Sequence, residues 1–378
     1  MGGRGAGLLE QSPGTGEPPE LRRVCIAGGG FARRYARAFH DGTGAEVVGV
    51  CTKTPGSAAE VVAAAGGTAY TDFDAMLTAE EPDIVVVATP NHLHHPMTIA
   101  ALTAGAEVIC EKPLGLDAGQ AEEMTVCAVA LERRTATAFT WRFLPACIAL
   151  RSLLAEGRLG EIYEVDVRYR TRGFGAVRGP MRWQFDRSAA GSGALANLGS
   201  HAVDLVHWWL GPVERVAAVT RRVIAHRPTG AGGVAPVSVE DLASATLVLV
   251  DGTPVSLGVG WVAHIARVGL DVEVHGSEAS AWLRYATGET PAGTLSVCDE
   301  STSTPIAVEL PDALNGEWFD LGQACVTRLV SAFLVREVSS AFPGFVDGLR
   351  AQCVLDAILQ AAAAGSWIEV FYPVTGAA

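Results

Sequence analysis

The chain of 378 residues is long enough for two domains, and its composition of 49% apolar and 18% charged residues is that of a globular protein. A net charge of −13 argues against a nucleic-acid partner, because such a partner requires a basic face. No stretch is long and apolar enough to span a membrane, and residues 1–20, rich in Gly and Pro, predict a flexible tail instead of a signal peptide. Eight cysteines without a C-x-x-C pair predict reduced, mostly buried thiols in a cytoplasmic protein.

Short apolar runs alternate with helical stretches through the first 140 residues. Strands are predicted at RRVCIA, AEVVGVCT, PDIVVVATP and AEVICEK, and helices at FARRYARAFHDG, SAAEVVAAAGG, HHPMTIAALTAG and DAGQAEEMTVCAVALERR. The Val and Ile runs are continuous, which indicates strands that are buried on both faces of a parallel sheet. This order of elements predicts a doubly wound α/β domain over residues 21–143.

The pattern changes after Pro145. A helix is predicted at LRSLLAEGRLG, a loop at AHRPTGAGGVAPVSVE, and strands at EIYEVDVRYRTR, DLASATLVLVDGTPVSLGVGWV (two strands with a turn at Asp251-Gly252), VGLDVEVHG and SAWLRYA. A second helix, SHAVDLVHWWL, should end at Gly211-Pro212. Residues 144–378 are therefore predicted to form a second, α+β domain.

A glycine turn follows the first strand and precedes a helix. Backbone amides at such a helix start cradle a pyrophosphate when no side chains intervene. The six-residue glycine motif is imperfect, since one register ends on an arginine and the other begins on an alanine. Its place at the first strand–helix junction nevertheless predicts a nicotinamide dinucleotide site. The predicted cofactor-binding residues of this turn are Gly28, Gly29, Gly30, Phe31 and Ala32.

The second strand ends without the carboxylate that accepts from the ribose hydroxyls in NAD sites. It reads instead Cys51-Thr52-Lys53-Thr54. A hydroxyl beside a cation suits a 2′-phosphate, so Thr52 and Lys53 favour NADP, with NAD as the alternative. Lys53 could also be a solvated loop residue.

The charged pair Glu111-Lys112 directly follows an apolar strand and precedes Pro113. A residue before proline is driven to extended angles, so Lys112 is expected at the carboxyl end of the strand, where open α/β sheets bind ligands. Hydride transfer to a carbonyl builds negative charge on oxygen, and an ammonium group stabilises that charge and delivers a proton. The alternative is a surface ion pair at a turn.

Several motifs, in this order, resemble the Gfo/Idh/MocA family, which includes glucose–fructose oxidoreductase and inositol 2-dehydrogenase. They extend from about Arg22 to Val370 and comprise TPN at 89–91, EKP at 111–113, WRF at 141–143, GAL at 193–195 ahead of His201-x-x-Asp204, and GFVDG at 344–348. The resemblance implies a Rossmann domain followed by an α+β domain with a large, mostly antiparallel open sheet. It also implies a sugar or polyol substrate and a homodimer or homotetramer, with one face of that sheet at the interface.

The resemblance also suggests roles for individual residues. Lys112 would reach the reacting oxygen beside the nicotinamide, Glu111 would face the cofactor ribose, and His201 aligns with the proton-exchanging histidine. Inositol-dehydrogenase-like members carry an aspartate four residues before that histidine, where this chain has Asn197. An amide can orient an imidazole but cannot stabilise its protonated form electrostatically, so His201 should be a weaker base. A reductive role, or catalysis by Lys112 alone, is then favoured; alternatively, Asn197 reads a different substrate. The predicted catalytic residues are Lys112, His201 and Asn197.

Other candidates each have a structural alternative. Asp204 matches a position near the substrate hydroxyls; its alternative role is an ion pair at the domain junction. Arg142 is expected to contact the substrate or the cofactor; its alternative role is packing at the same junction. His94 lines the cofactor loop or caps a helix. A basic cluster precedes Trp183 and comprises Arg168, Arg170, Arg172, Arg178 and Arg182. Its guanidinium groups would suit the diphosphate of a sugar nucleotide. Alternatively, these arginines are solvated or lie at a subunit interface. The remaining predicted cofactor residues are Thr89, Pro90, Asn91, His94, Glu111, Lys112 and Arg142, and the predicted substrate residues are Lys112, Trp141, Trp183, Asp204 and His201.

The sequence thus predicts an NADP-preferring oxidoreductase that interconverts a secondary alcohol and a ketone of a sugar, cyclitol or nucleotide-linked sugar. One alternative is a redox-neutral enzyme with tightly bound NAD, in which transient oxidation enables elimination or glycoside cleavage. Another is a cofactor-binding sensor without catalysis, against which the presence of Lys112 and His201 argues.

Overall fold

The structure is a computed structural model that describes residues 21–40, 44–172, 179–230, 232–263, 269–286, 293–302, 306–307, 321–339 and 341–374. The predicted tail at residues 1–20 and the predicted end of the first helix at Asp41-Gly42 lie outside these ranges, as does Arg178 of the predicted basic cluster. Within them, no helix combines the length and the apolar character needed to cross a membrane.

The first half of the chain forms a six-stranded sheet in the order β3-β2-β1-β4-β5-β6, with every pairing parallel. Its strands are β1 (Arg22–Ala27), β2 (Ala45–Cys51), β3 (Thr68–Tyr70), β4 (Ile84–Val87), β5 (Glu107–Cys110) and β6 (Thr135–Thr137). Its helices are α1 (Ala32–His40), α2 (Pro55–Ala65), α3 (Phe73–Glu80), α4 (His94–Thr103) and α5 (Ala118–Ala130). All four residues of β4 and of β5 are buried, as expected for strands covered on both faces. The predicted doubly wound domain is confirmed.

The second half is built on a nine-stranded sheet in the order β16-β15-β14-β13-β7-β12-β11-β8-β17. The pairing of β7 with β12 is parallel, and the other pairings are antiparallel. The strands of this half are β7 (Ile162–Arg170), β8 (Val213–Arg221), β9 (His226–Pro228), β10 (Val234–Pro236), β11 (Leu242–Leu249), β12 (Pro254–Gly260), β13 (Gly269–Gly276), β14 (Ala279–Ala286), β15 (Thr294–Asp299), β16 (Ile306–Ala307) and β17 (Ile368–Glu369). The predicted α+β half with a large, mostly antiparallel sheet is confirmed.

The helices of the second half pack on one face of this sheet and on the first domain. They are α6 (Pro145–Ala155), α7 (Arg187–Ala190), α8 (Ser200–Leu210), α9 (Leu321–Leu334) and α10 (Phe345–Ala364). A π-helical turn at Leu195–Gly199 runs directly into α8. Helix α6 begins at Pro145, five residues earlier than predicted, because proline is well suited to a first helical turn.

The segment AHRPTGAGGVAPVSVE, predicted as a loop, contains a short antiparallel hairpin instead. Strand β9 pairs with β10, and the backbone amide of Thr229 donates to the carbonyl of Gly233 at 2.8 Å across the turn. The glycines that suggested a loop thus form the turn of this hairpin, and the strands they join are only three residues long.

Helix α9 belongs by sequence to the predicted second domain but packs against the first. Its buried side chains, including Val326, Leu329 and Phe333, belong to the same core as β1, β2 and β4 of the first sheet. Helix α10 likewise contacts both α5 and β8. The segment predicted as the second domain, residues 144–378, therefore contributes one helix to the core of the first domain.

Candidate functional site

A cavity of about 810 Å³ opens where the carboxyl ends of β1, β4 and β5 face the segment that precedes α8. Parallel α/β sheets bind ligands at these strand ends. The predicted site residues that line this cavity are Gly29, Gly30, Phe31, Thr89, Pro90, Asn91, His94, Glu111, Lys112, Trp141, Trp183, Asn197 and His201. The structure therefore brings most of the predicted site together.

The glycine turn fits the phosphates of a dinucleotide. Gly28 has a φ of +133°, and a Cβ there would collide with the carbonyl oxygen of Ala88, so this position requires glycine. A Cβ on Gly29 or Gly30 would meet no atom within 4 Å, so both backbones face open space. Helix α1 starts two residues later, and its first amides lack partners within the helix. Gly28 and Ala32 lie behind this turn and are not part of the cavity wall.

Glu111 is held by a buried tyrosine from α1. The hydroxyl of Tyr35 donates to Glu111 Oε1 at 2.7 Å, and Tyr35 is fully buried. Burial raises the pKa of Glu111, while Lys112 and the Tyr35 hydrogen bond act in the opposite direction. The tyrosine therefore supports the ionised form of a carboxylate on the cavity wall.

Lys112 connects the two halves of the molecule. Its Nζ atom donates to the backbone carbonyl oxygen of Asn197 at 2.7 Å. That carbonyl belongs to the π-helical turn, a feature that recurs at functional sites. Burial lowers the pKa of Lys112, and the charge of Glu111 raises it. An ammonium group has three N–H donors, so one bond to Asn197 leaves donors for a ligand in the cavity.

His201, in the first turn of α8, lines the same cavity as Lys112. Burial, followed by the charge of Lys112, holds the pKa of His201 well below its usual range. The expected orientation of its imidazole by Asn197 is wrong in one respect. Within the described chain no hydrogen bond joins the Asn197 amide to His201, whose Nδ1 atom is buried without a partner. Asn197 belongs to the π-helical turn and His201 to α8, so the α-helical i, i+4 relation is not kept.

Arg142 and Asp204 form a buried ion pair at the domain junction. Arg142 Nε donates to Asp204 Oδ2 at 2.9 Å and Nη2 to Oδ1 at 2.6 Å, and the two side chains are 2% and 1% exposed. Arg142 also contacts Asp347 Oδ1 at 2.9 Å. Neither Arg142 nor Asp204 is part of the cavity wall. The alternative of an ion pair at the domain junction therefore describes both residues better than the expected contacts with a ligand.

The end of β2 lies beyond the cavity wall. Thr52 is buried, and its hydroxyl donates to the carbonyl of Thr54 at 2.7 Å, so this hydroxyl is already engaged within its own loop. Lys53 is exposed. The structure thus leaves Lys53 available to a 2′-phosphate and makes a direct contact from the Thr52 hydroxyl less favourable.

His94 links the loops that follow β4 and β5. Its Nδ1 lies 2.9 Å from the carbonyl oxygen of Pro113, and its Nε2 lies 3.0 Å from that of Thr89. Burial lowers its pKa to about 4, against the effect of the two carbonyls. Asn91 makes a second link, since its Nδ2 donates to the carbonyl of Ala190 at 2.9 Å. These residues fix the cavity loops.

The basic cluster predicted ahead of Trp183 is not assembled at this cavity. Arg168 and Arg170 line a separate trough on the outer face of the large sheet. Alternation along β7 explains this, because Tyr169 between them points to the opposite face and reaches the main cavity. Neither arginine is therefore placed to take a diphosphate beside Trp183.

Several residues of the site were not predicted. Tyr169, Gln184 and Trp261 add to its walls, and Trp261 Nε1 donates to Asp241 Oδ1 at 2.7 Å. Glu240 Oε1 accepts from the backbone amides of Gly193 at 2.7 Å and Leu195 at 3.0 Å, which anchors the start of the π-helical turn. The sequence feature that could have indicated Glu240 and Asp241 is their position as two adjacent carboxylates ahead of an apolar strand.

Comparison with known proteins identifies the family of both halves of the chain. The Gfo/Idh/MocA model described as "Oxidoreductase family, NAD-binding Rossmann fold" matches residues 22–139, and the "GFO/IDH/MocA C-terminal domain" model matches residues 147–282. Levoglucosan dehydrogenase of Pseudarthrobacter phenanthrenivorans is 29% identical over 317 residues, 77% of this chain and 81% of that protein. The 1,5-anhydro-D-fructose reductase of Ensifer adhaerens is 29% identical over 273 residues, 71% of this chain and 77% of that protein.

A solved structure of levoglucosan dehydrogenase in complex with NADH and L-sorbose superposes with a TM-score of 0.84 at 26% identity, covering 94% of this chain and 100% of that one. The named relatives are dehydrogenases and reductases of sugars. The family models cover both halves of the chain and the curated relatives most of it. The chain therefore belongs to the Gfo/Idh/MocA family of oxidoreductases, as its motifs indicated.

Proposed function

We propose that this chain is an NAD(P)-dependent dehydrogenase that interconverts a secondary alcohol and a ketone of a sugar, cyclitol or nucleotide-linked sugar. The observation that carries the proposal is that Lys112 and His201 line the same cavity as the glycine turn. The sugar dehydrogenase and reductase names of the relatives support the substrate class.

The cofactor would be held by the turn at 29–31, by the loop at Thr89–Asn91 and by Glu111. When bound there, a nicotinamide dinucleotide supplies or accepts the hydride. We favour NADP because the end of β2 offers the exposed Lys53 and no carboxylate between residues 51 and 54. A 2′-phosphate placed against Lys53 would form a charge-assisted contact, whereas a ribose hydroxyl would lack its usual acceptor.

The substrate would lie between aromatic walls. Trp141 and Trp183 present flat apolar surfaces of the kind that pack against a pyranose ring, and Gln184 and Ser192 offer hydrogen bonds to its hydroxyls. Lys112 would stabilise charge on the reacting oxygen. In oxidation its neutral amine takes the hydroxyl proton, and in reduction its ammonium returns it. The lowered pKa of Lys112 supports both steps, because the neutral amine forms more readily there than on a solvent-exposed lysine.

The first experiment identifies the cofactor. The purified protein is denatured and any released nicotinamide is identified, and the native protein is titrated with NADPH and NADH. Arrival without nucleotide and tighter binding of NADPH support a dissociating dehydrogenase. Tightly held NAD would contradict the NADP assignment and would favour the redox-neutral alternative. Lys53→Asp should reverse the preference by about tenfold or more, since one lost charge-assisted contact is worth about 1.5 kcal/mol.

A second experiment tests Lys112. Lys112→Ala should abolish turnover on a sugar panel while the Kd for NADPH changes by less than about threefold. Full turnover by this variant would refute the role of Lys112. NADPH binding by the unchanged protein, with no turnover of any sugar, would instead support the non-catalytic sensor.

We also propose that the chain forms a homodimer or homotetramer through the outer face of the large sheet. That face carries a trough of about 660 Å³ floored by small side chains of β11 and β12 and flanked by Arg168 and Arg170. Light scattering should give a multiple of 39.4 kDa, and Thr246→Arg in the trough should reduce it. The eight free cysteines are consistent with a reducing, cytoplasmic location.

A further inference from the structure

His201 turns one side of its imidazole into the protein. Its Nδ1 atom is buried and has no hydrogen-bond partner in the described ranges. The rings of Phe139 and Trp141 pack edge-on against the imidazole, at centroid distances of 6.1 and 5.9 Å, and neither side chain offers an acceptor. Asp204, on the next turn of α8, has both carboxylate oxygens on Arg142. Nothing on these sides accepts a proton from Nδ1.

A neutral imidazole carries its proton on either Nδ1 or Nε2, and the hydrogen-bond surroundings decide which tautomer forms. A proton on Nδ1 would be a buried donor without an acceptor, which is costly. A proton on Nε2 faces the cavity, where a ligand oxygen can accept it. A second proton is opposed both by burial and by the nearby charge of Lys112.

We infer that His201 is a neutral imidazole protonated at Nε2, and that it donates a hydrogen bond to the reacting oxygen instead of exchanging a proton with it. The inference rests on the proposed function and changes the role first expected for this residue. Lys112 is then the group that exchanges the proton. In oxidation the hydroxyl proton passes to Lys112 Nζ while His201 keeps its own, and in reduction Lys112 returns the proton to the oxygen. A neutral histidine that polarises a carbonyl by donation is an established catalytic arrangement.

The direct test is 15N NMR of the full-length protein with labelled histidine, in which His201 is assigned by its loss in His201→Gln. We expect a pyridine-like Nδ1, a pyrrole-like Nε2 and no titration between about pH 6 and 8. His207 is an internal reference, because its Nδ1 also lacks a partner and its Nε2 lies 3.2 Å from the Tyr372 hydroxyl, which itself donates to the carbonyl of Val213. A pyrrole-like Nδ1 on His201, or titration near neutral pH, would overturn the inference.

A kinetic test separates donation from proton exchange. Glutamine keeps an N–H donor near the position of Nε2 but exchanges no proton, whereas leucine does neither. His201→Gln should stay within about tenfold of the parent kcat, and His201→Leu should fall by about 100-fold, the typical effect of losing one donor to a developing oxyanion. Equal losses in the two variants would refute the donor role. Absence of turnover in the unchanged protein would refute the proposed function and leave the NMR result unaffected.

Discussion

Removal of the Glu240 carboxylate should loosen the segment that carries Asn197 and His201. Glu240 is 5% exposed, and its Oε1 accepts from the amides of Gly193 and Leu195, at the start of the π-helical turn. A hydrogen bond to a charged group contributes about 1.5–3 kcal/mol, and an unpaired buried amide costs about 1–3 kcal/mol. Glu240→Ala leaves two such amides without an acceptor, so we expect a loss of about 3–4 kcal/mol in the free energy of unfolding.

Glu240→Gln is the matched variant, because it keeps an acceptor for both amides. Its new N–H₂ group would take the place of Oε2, which is buried without a partner, so a loss of about 1 kcal/mol is expected. Urea unfolding followed by tryptophan fluorescence reports this half of the molecule, whose core contains Trp209 and Trp261. The Ala variant should also lose kcat with little change in the Kd for NADPH. Equal unfolding midpoints for the two variants would refute the anchoring role of Glu240.

Three further outcomes are expected. Burial lowers the pKa of Lys112 in the folded protein, whereas in the unfolded chain the pKa has its ordinary value of about 10.4. Between these two pKa values the unfolded chain binds a proton that the folded chain has released. The free energy of unfolding therefore rises with pH across this window. Lys112→Met should therefore be more stable than the parent in urea at about pH 7, and this advantage should vanish near pH 10.5. Tyr35→Phe removes a hydrogen bond that lowers the pKa of Glu111, so the acidic limb of the kcat/KM profile should move to higher pH; an unmoved limb would contradict this. Asp204→Asn breaks a buried pair and should cost about 3 kcal/mol in urea unfolding, because Arg142 loses the carboxylate that accepts from both its Nε and its Nη2; a loss below about 1 kcal/mol would refute its structural role.

Most of the first domain could be predicted from its long apolar runs and glycine turns. Residues 24–27, 84–87 and 108–110 of the first sheet are continuous apolar segments, and their burial on both faces follows from that pattern. Strands β3 and β6 were missed because three residues are too few to show a period, and β3 is largely exposed. Helix α3 was missed although Asp72 caps it, its Oδ1 accepting from the Ala75 amide at 2.9 Å.

The site was predictable as a set of residues and only partly as a set of contacts. The position of Lys112 after a buried strand follows from the sequence, because proline and the strand end fix it. Its bond to Asn197 does not, since the acceptor is a backbone carbonyl that a π-helical turn presents. The pairing of Arg142 with Asp204 joins residues 62 positions apart, and no local pattern reports such a separation.

Helix α9 has a consequence for how the protein is made. The core of β1, β2 and β4 is closed by Leu329 and Phe333, which the ribosome adds only after eight of the nine strands of the large sheet have been synthesised. The nucleotide-binding half therefore cannot complete its core during translation of its own residues, although domains generally fold in the order of synthesis. A fragment that ends at residue 143 should expose this apolar surface and aggregate, whereas co-expression with a segment that contains α9 should restore its solubility.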